Sequence, residues 1–220
     1  MKKLLLYIAE LKSDDKVIFF LQLTTLVNMI VVVAKFSFSF ILPSLWFFVN
    51  ACFLFVITVS RLLALKDYRS SKNIVDSADK LKHGLRNYRN NGIIMIFLGI
   101  VYFCVSLYML FRTSRISMHE YMTYLTALIA FWSIGSAIYG MVKYRGDSNP
   151  IIKAVKITSF ASAMSSMVLT QVVLLNNFSD GKEYLNIANG LTAIAVSVVI
   201  FALGVYMIVR TKKQKNKLKQ

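Results

Sequence analysis

Six stretches of this chain stay apolar for about 20 residues at a time, the length a helix needs to cross the ~30 Å hydrocarbon core of a bilayer. They fall at roughly 17–36 (VIFFLQLTTLVNMIVVVAKF), 40–63, 92–111 (GIIMIFLGIVYFCVSLYMLF), 121–143, 151–175 and 187–209. A backbone in hydrocarbon must satisfy its own N–H and C=O groups, which leaves only helices and closed barrels. Barrel strands would alternate apolar and polar residues, and these runs do not. The expected fold is therefore all-α, a polytopic integral membrane protein with a single membrane domain over 1–220. Composition agrees, because 57% hydrophobic and 16% charged residues is oilier than a soluble domain of this size.

The net charge of +16 raises the question of nucleic acid. Binders of DNA or RNA carry basic residues on a folded polar surface, whereas here they lie between apolar runs, so no nucleic-acid partner is expected. Assigned to alternating sides of six spans, 22 of the 26 basic residues fall on the side of the two termini, and only Lys35, Arg112, Arg115 and Lys182 fall on the other. Positive residues favour the cytoplasm. Both termini are therefore expected inside, in the plasma membrane.

The topology reads as three antiparallel hairpins with cytoplasmic connections at about 64–91 and 144–150. The similar exits ALKDYR, GMVKYR and MIVRTKK fit either a threefold repeat or the basic residues that follow any cytoplasmic exit. Within the long connection, Ile74, Ala78, Leu81, Leu85 and Tyr88 share helical spacing, with Lys80, Lys82, Arg86 and Arg89 elsewhere around the helix. That pattern predicts an amphipathic helix lying on anionic lipid headgroups or docking a cytoplasmic partner. The tail 210–220 (RTKKQKNKLKQ) reads as a solvated topology anchor. The opening MKKLLLYIAELKSDDK has too short an apolar stretch and no small-residue cleavage site for a signal peptide, and a retained interfacial helix is expected.

Candidate chemistry is sparse. All ten carboxylates are expected in loops or at span edges, leaving none at mid-membrane to relay a proton or bind a divalent cation. His83 and His119 fall on opposite expected sides and cannot share a metal. Cys52 and Cys104 sit singly inside apolar runs and read as small buried hydrophobes. Phosphate-binding, nucleophile-elbow and zinc-protease motifs are absent from the sequence. Lys156 and Ser159 are spaced for a serine–lysine pair, but a lysine near a helix end reaches water and keeps its proton. Neither an enzyme nor a cofactor or metal site is expected.

The fifth run is the most polar. Taken at 100° per residue from Ser159, the positions of Lys156, Ser162, Ala163, Ser166 and Thr170 all fall within about 60°, and Asn177 continues the line. Thr158, Ser165 and Gln171 fall outside it. A hydroxyl stripe can be packing glue, each interhelical bond contributing ~0.6 kcal/mol on average, and small residues on the fourth run (Ser133, Ser136, Ala137, Gly140) and sixth run (Gly190, Ala193, Ser197, Gly204) offer matching faces. It can equally line a solute path with Lys156 at its cytoplasmic mouth, favouring an anionic or polar ligand. Gln22, Asn28, Asn50 and Gln171 are expected to face the interior, because an amide at bilayer depth needs a partner.

The segment KAVKITSFASAMSSMVLTQVVLL, residues 153–175, resembles the fifth span of an uncharacterised group of small six-span bacterial membrane proteins. The resemblance covers about a tenth of the chain and implies a bacterial inner-membrane setting, with no activity attached. Cation diffusion facilitators also have six spans, but their metal-binding Asp and His residues have no counterparts in the second and fifth runs here. Two functions remain from the sequence: transport or binding of a small polar or anionic solute along the fifth span, or a non-catalytic accessory role in a homo-oligomer or larger membrane complex.

Overall fold

The computed structural model describes residues 13–41, 45–71, 74, 76–111, 120–143, 149–178 and 182–217. They form six helices and, among the described residues, no strand: α1 (Ser13–Ile41), α2 (Leu45–Ser71), α3 (Ser77–Phe111), α4 (Glu120–Lys143), α5 (Pro150–Phe178) and α6 (Lys182–Lys217). Each is long and apolar enough to cross a membrane, which establishes the six-span, all-α class. Residues 1–12 of the opening segment expected at the interface, together with Arg112, Arg115 and His119, lie outside the described residues, and its last four residues begin α1.

Local chemistry sets the helix starts. Asp76 caps α3, its carboxylate accepting the backbone N–H of Ala78 at 2.9 Å. Asn149 does the same for α5 through the N–H of Ile151 at 3.0 Å, with Pro150 in the first helical position, where its missing N–H is no loss.

The connection at 64–91 is not a separate surface helix. α2 runs on to Ser71 and α3 already begins at Ser77, so nearly all of it is the ends of two long helices. Leu85 and Tyr88, the apolar face expected to meet lipid, are buried within the protein, while Lys80, Lys82, Arg86 and Arg89 stay exposed. A polar ladder joins these helix ends: Ser60 Oγ donates to Asn91 Oδ1 (2.5 Å), Asn91 Nδ2 to Asn87 Oδ1 (3.0 Å), and Asn87 Nδ2 to Asp67 Oδ2 (2.7 Å). Once inside, those amides must be paired, and the ladder pairs them. The basic tail is likewise helical as far as Lys217, with Thr211 buried and its hydroxyl donating to Met207 O.

Helix pairing departs from three consecutive hairpins. α1 packs on α2 and α4 on α5, but the most extensive partner of α3 is α6, and α3 and α4 are not a packed pair among the described residues. Glycine explains the choice. A Cβ at Gly204 would lie 2.8 Å from the Gly92 carbonyl oxygen, one at Gly99 would lie 2.9 Å from Phe201 N, and one at Gly190 would meet the Leu110 side chain at 2.6 Å. Backbones approach this closely only where side chains are missing, and dispersion then replaces the hydrophobic drive that lipid cannot supply. α5 is the hub, packing on α2, α3, α4 and α6, with Ala161, Val168, Leu169 and Val172 in the main core beside Phe53, Tyr102 and Ile200.

Gly204→Val is expected to lower stability by about 1–3 kcal/mol through overpacking, seen as a reduced midpoint in detergent thermal melts. Gly135→Ala, where a Cβ meets nothing within 4 Å, is expected to hold the midpoint or raise it slightly.

Candidate functional site

Asn50 of α2 is fully buried, and all of its amide is used. Nδ2 donates to the Ser165 carbonyl (2.9 Å) and to Ser165 Oγ (2.8 Å) on α5, while Oδ1 accepts from Lys35 Nζ of α1 at 2.5 Å. The same ammonium lies 3.4 Å from Ser166 Oγ. One amide thus clasps three helices. Ser165 and Ser166 stand near the middle of the 29-residue α5, so Lys35 is held inside the bundle, at that level of α5, by neutral groups.

This corrects the sequence-based placement of Lys35 among the cations of the far side. α1 does not stop at the charge: it continues to Ile41, and the apolar stretch of that helix extends from Gln22 to Phe40. The signal was present in Phe36, Phe38 and Phe40, which prolong the apolar run beyond the lysine.

Beside the clasp lies a cleft of about 630 Å³ walled by α1, α2, α4 and α5, within the usual size of ligand sites. Lys156, Ser159, Ser162, Ser166 and Thr170 all line it. Ala163, on the same arc, is fully buried and does not. Several hydroxyls are engaged: Ser159 donates to the Val155 carbonyl at 2.7 Å, and Thr170 reaches the Thr126 carbonyl of α4 at 3.4 Å. Asn177 continues the line outward and bonds to Thr123 of α4. α4 adds Thr126, Ser133, Ser136 and Ala137 to the lining, while the same helix packs along α5. The Lys156 ammonium lies over Gly140, where a Cβ would stand 3.0 Å from Nζ.

The four amides divide. Asn50 forms the clasp, and Gln171 donates to Thr192 Oγ1 of α6 at 2.9 Å. Asn28 lines the cleft, whereas Gln22 lines a separate hollow of about 260 Å³ between α1 and α2.

Arg61 is the residue that sequence reasoning missed most completely, because it closed the second apolar run and read as a loop cation. It is 3% exposed and lines the cleft. Its Nε has no hydrogen-bond partner among the described residues. At 1.5 Å per residue, Arg61 lies about 16 Å along α2 from Asn50, and Lys156 about 14 Å along α5 from Ser165, both toward the end at which α2 finishes and α5 begins. They therefore share a level, well separated from Lys35. No Asp or Glu is among the described residues that line the cleft. Among the described residues no cluster of three His, Cys, Asp or Glu side chains is placed to hold a metal ion. The arrangement suits an anion: three cationic groups, a row of hydroxyls and an apolar remainder.

Asn50→Leu is expected to destabilise the protein by about 1–3 kcal/mol, since it leaves the Lys35 ammonium and Ser165 without their partner. The double variant Lys35→Met with Asn50→Leu is expected to recover more than half of that loss. A double-mutant cycle on thermal melts measures both.

No family model and no curated protein matches the chain, so what it does must be argued from the clasp and the cleft themselves.

Proposed function

We propose that this protein binds a small anionic solute in the cleft between α1, α2, α4 and α5 and moves it along the hydroxyl face of α5, without energy coupling of its own. The observation that carries this reading is the lining itself, in which Lys35, Arg61 and Lys156 share one cleft with no carboxylate among the described residues that line it. A cation kept in a membrane interior is expensive unless an anion or a polar group meets it. Ser159, Ser162, Ser166 and Thr170 then supply neutral hydrogen-bonding positions between the cationic levels, strong enough to hold a solute briefly and weak enough to release it. With most basic residues on the side of the termini, both ends lie in the cytoplasm of a bacterial cell and Lys156 marks the inner mouth. The chemistry asked of the chain is binding and passage, not catalysis.

A second reading has its own observation. α1 packs extensively only on α2, and α4 only on α5, so the cleft edge is open to a helix of another membrane protein. In that case the chain is an accessory subunit and the cleft is filled by its partner.

Cysteine accessibility separates the two. In a background lacking Cys52 and Cys104, single cysteines at 156, 159, 162, 166 and 170 are expected to react with a membrane-impermeant thiol reagent. Cysteines at the buried positions 161, 168 and 172 are expected to stay silent. Silence at every position beyond 156 overturns the solute path and favours the accessory reading.

A further inference from the structure

The cleft has an open side. α1 and α4 form its two long walls yet are not a packed pair among the described residues, and its rims carry exposed apolar side chains: Leu23 and Val27 on α1, Leu125, Ile129 and Trp132 on α4. Trp132 is 80% exposed. A gap edged in this way on a membrane-spanning bundle faces hydrocarbon, not water. An entirely soluble ligand would leave that side unmatched.

The cations sit at two depths. Ser165 and Ser166, beside Lys35, stand near the middle of α5, and Arg61 with Lys156 lies about 15 Å further toward one end. Lys156 is six residues, about 9 Å, from the start of α5 at Pro150, so a long basic side chain at this level reaches the headgroups of one leaflet. Arg61 is buried with an unpartnered Nε, and a guanidinium is a planar fork suited to phosphate.

We propose, resting on the anion-binding reading above, that the ligand is an anionic membrane lipid. Its phosphate head seats between Arg61 and Lys156, and its chains leave the cleft sideways between α1 and α4. The head enters at its own depth in the bilayer and needs no aqueous mouth. Ser159 and Ser162 continue from that level toward Lys35, giving the head a polar track away from its leaflet while the chains remain in lipid.

Trp132 reports on this directly. In the full chain carrying Trp46→Phe, reconstituted in phosphatidylcholine vesicles, its fluorescence is titrated with chain-brominated phosphatidylglycerol or chain-brominated phosphatidylcholine. Glycerol 3-phosphate binding is measured separately by equilibrium dialysis. The expected result is quenching by the anionic lipid at about thirtyfold lower mole fraction than by the zwitterionic one, the size two basic residues near a headgroup provide. Arg61→Gln and Lys156→Gln should each shrink that preference to about fivefold or less. Lys212→Gln with Lys213→Gln, both exposed on the tail, should leave it unchanged, which separates the cleft from general attraction to a basic protein.

Equal quenching by both lipids with Arg61-dependent binding of glycerol 3-phosphate overturns the lipid assignment and leaves the small-anion reading standing. No lipid preference and no glycerol 3-phosphate binding overturns both. A Trp132 shielded from both lipids means that protein fills the cleft, and that too overturns the proposal. Because either cation can be tested alone, a misfolding Arg61→Gln leaves Lys156→Gln to decide.

Discussion

A lysine in the middle of a membrane protein has to be solvated by the protein itself, and the Asn50 clasp does so. Its amide oxygen takes the Lys35 ammonium while its NH₂ group is fixed by Ser165, so the position of α1 depends on the contact between α2 and α5. Among the described residues the arrangement uses no counter-carboxylate: an amide oxygen and a hydroxyl hold the Lys35 amine in place without adding a negative charge to the cleft beside it.

The bundle combines two kinds of packing. α3 and α6 meet through glycines whose missing side chains let the helices touch, and a larger residue at Gly92, Gly99 or Gly204 meets backbone atoms that cannot yield. α1 and α4 are held differently, each along one neighbour and by isolated polar bonds at Lys35 and Thr170. A rigid pair braces α5 from one side, and two peripheral helices border the cleft on the other. Elements with few packed neighbours have the lowest cost of displacement, which places any opening of the cleft at α1 and α4 and leaves the α3–α6 pair fixed.

Polar groups in this chain answer to two different demands. The Ser60, Asn91, Asn87 and Asp67 ladder is closed, with each group bonded to the next, and its role is to join α2 to α3. Gln171 with Thr192 joins α5 to α6 in the same manner. The cleft groups differ because hydroxyls there lie next to cations and empty volume, and Arg61 keeps an unsatisfied nitrogen. Buried polar groups are almost always paired, so a guanidinium whose Nε has no partner among the described residues, bordering a cavity, is the feature that most separates the cleft from a seam between helices.

The sequence by itself determined the class, the number of spans and the face of α5 that lines the cleft. Run length against bilayer thickness needs no tertiary information, and the 100° rotation per residue already puts Ser159, Ser162, Ser166, Thr170 and Lys156 on one arc, which one cleft then collects. It could not say which helices meet. α3 chooses α6 over its chain neighbour α4 because glycines on both sides permit an approach that hydropathy does not record. Nor could it say whether a cation at the end of an apolar run lies in a loop or inside: Lys35 and Arg61 both read as boundaries, and only the neighbouring Asn50 and the cleft wall make them interior. Helix formation is a local property, set along one chain by backbone hydrogen bonds and hydrophobic length. The clasp, the cleft and the sign of its charge belong to the contacts between helices, and those exist only once the bundle is assembled.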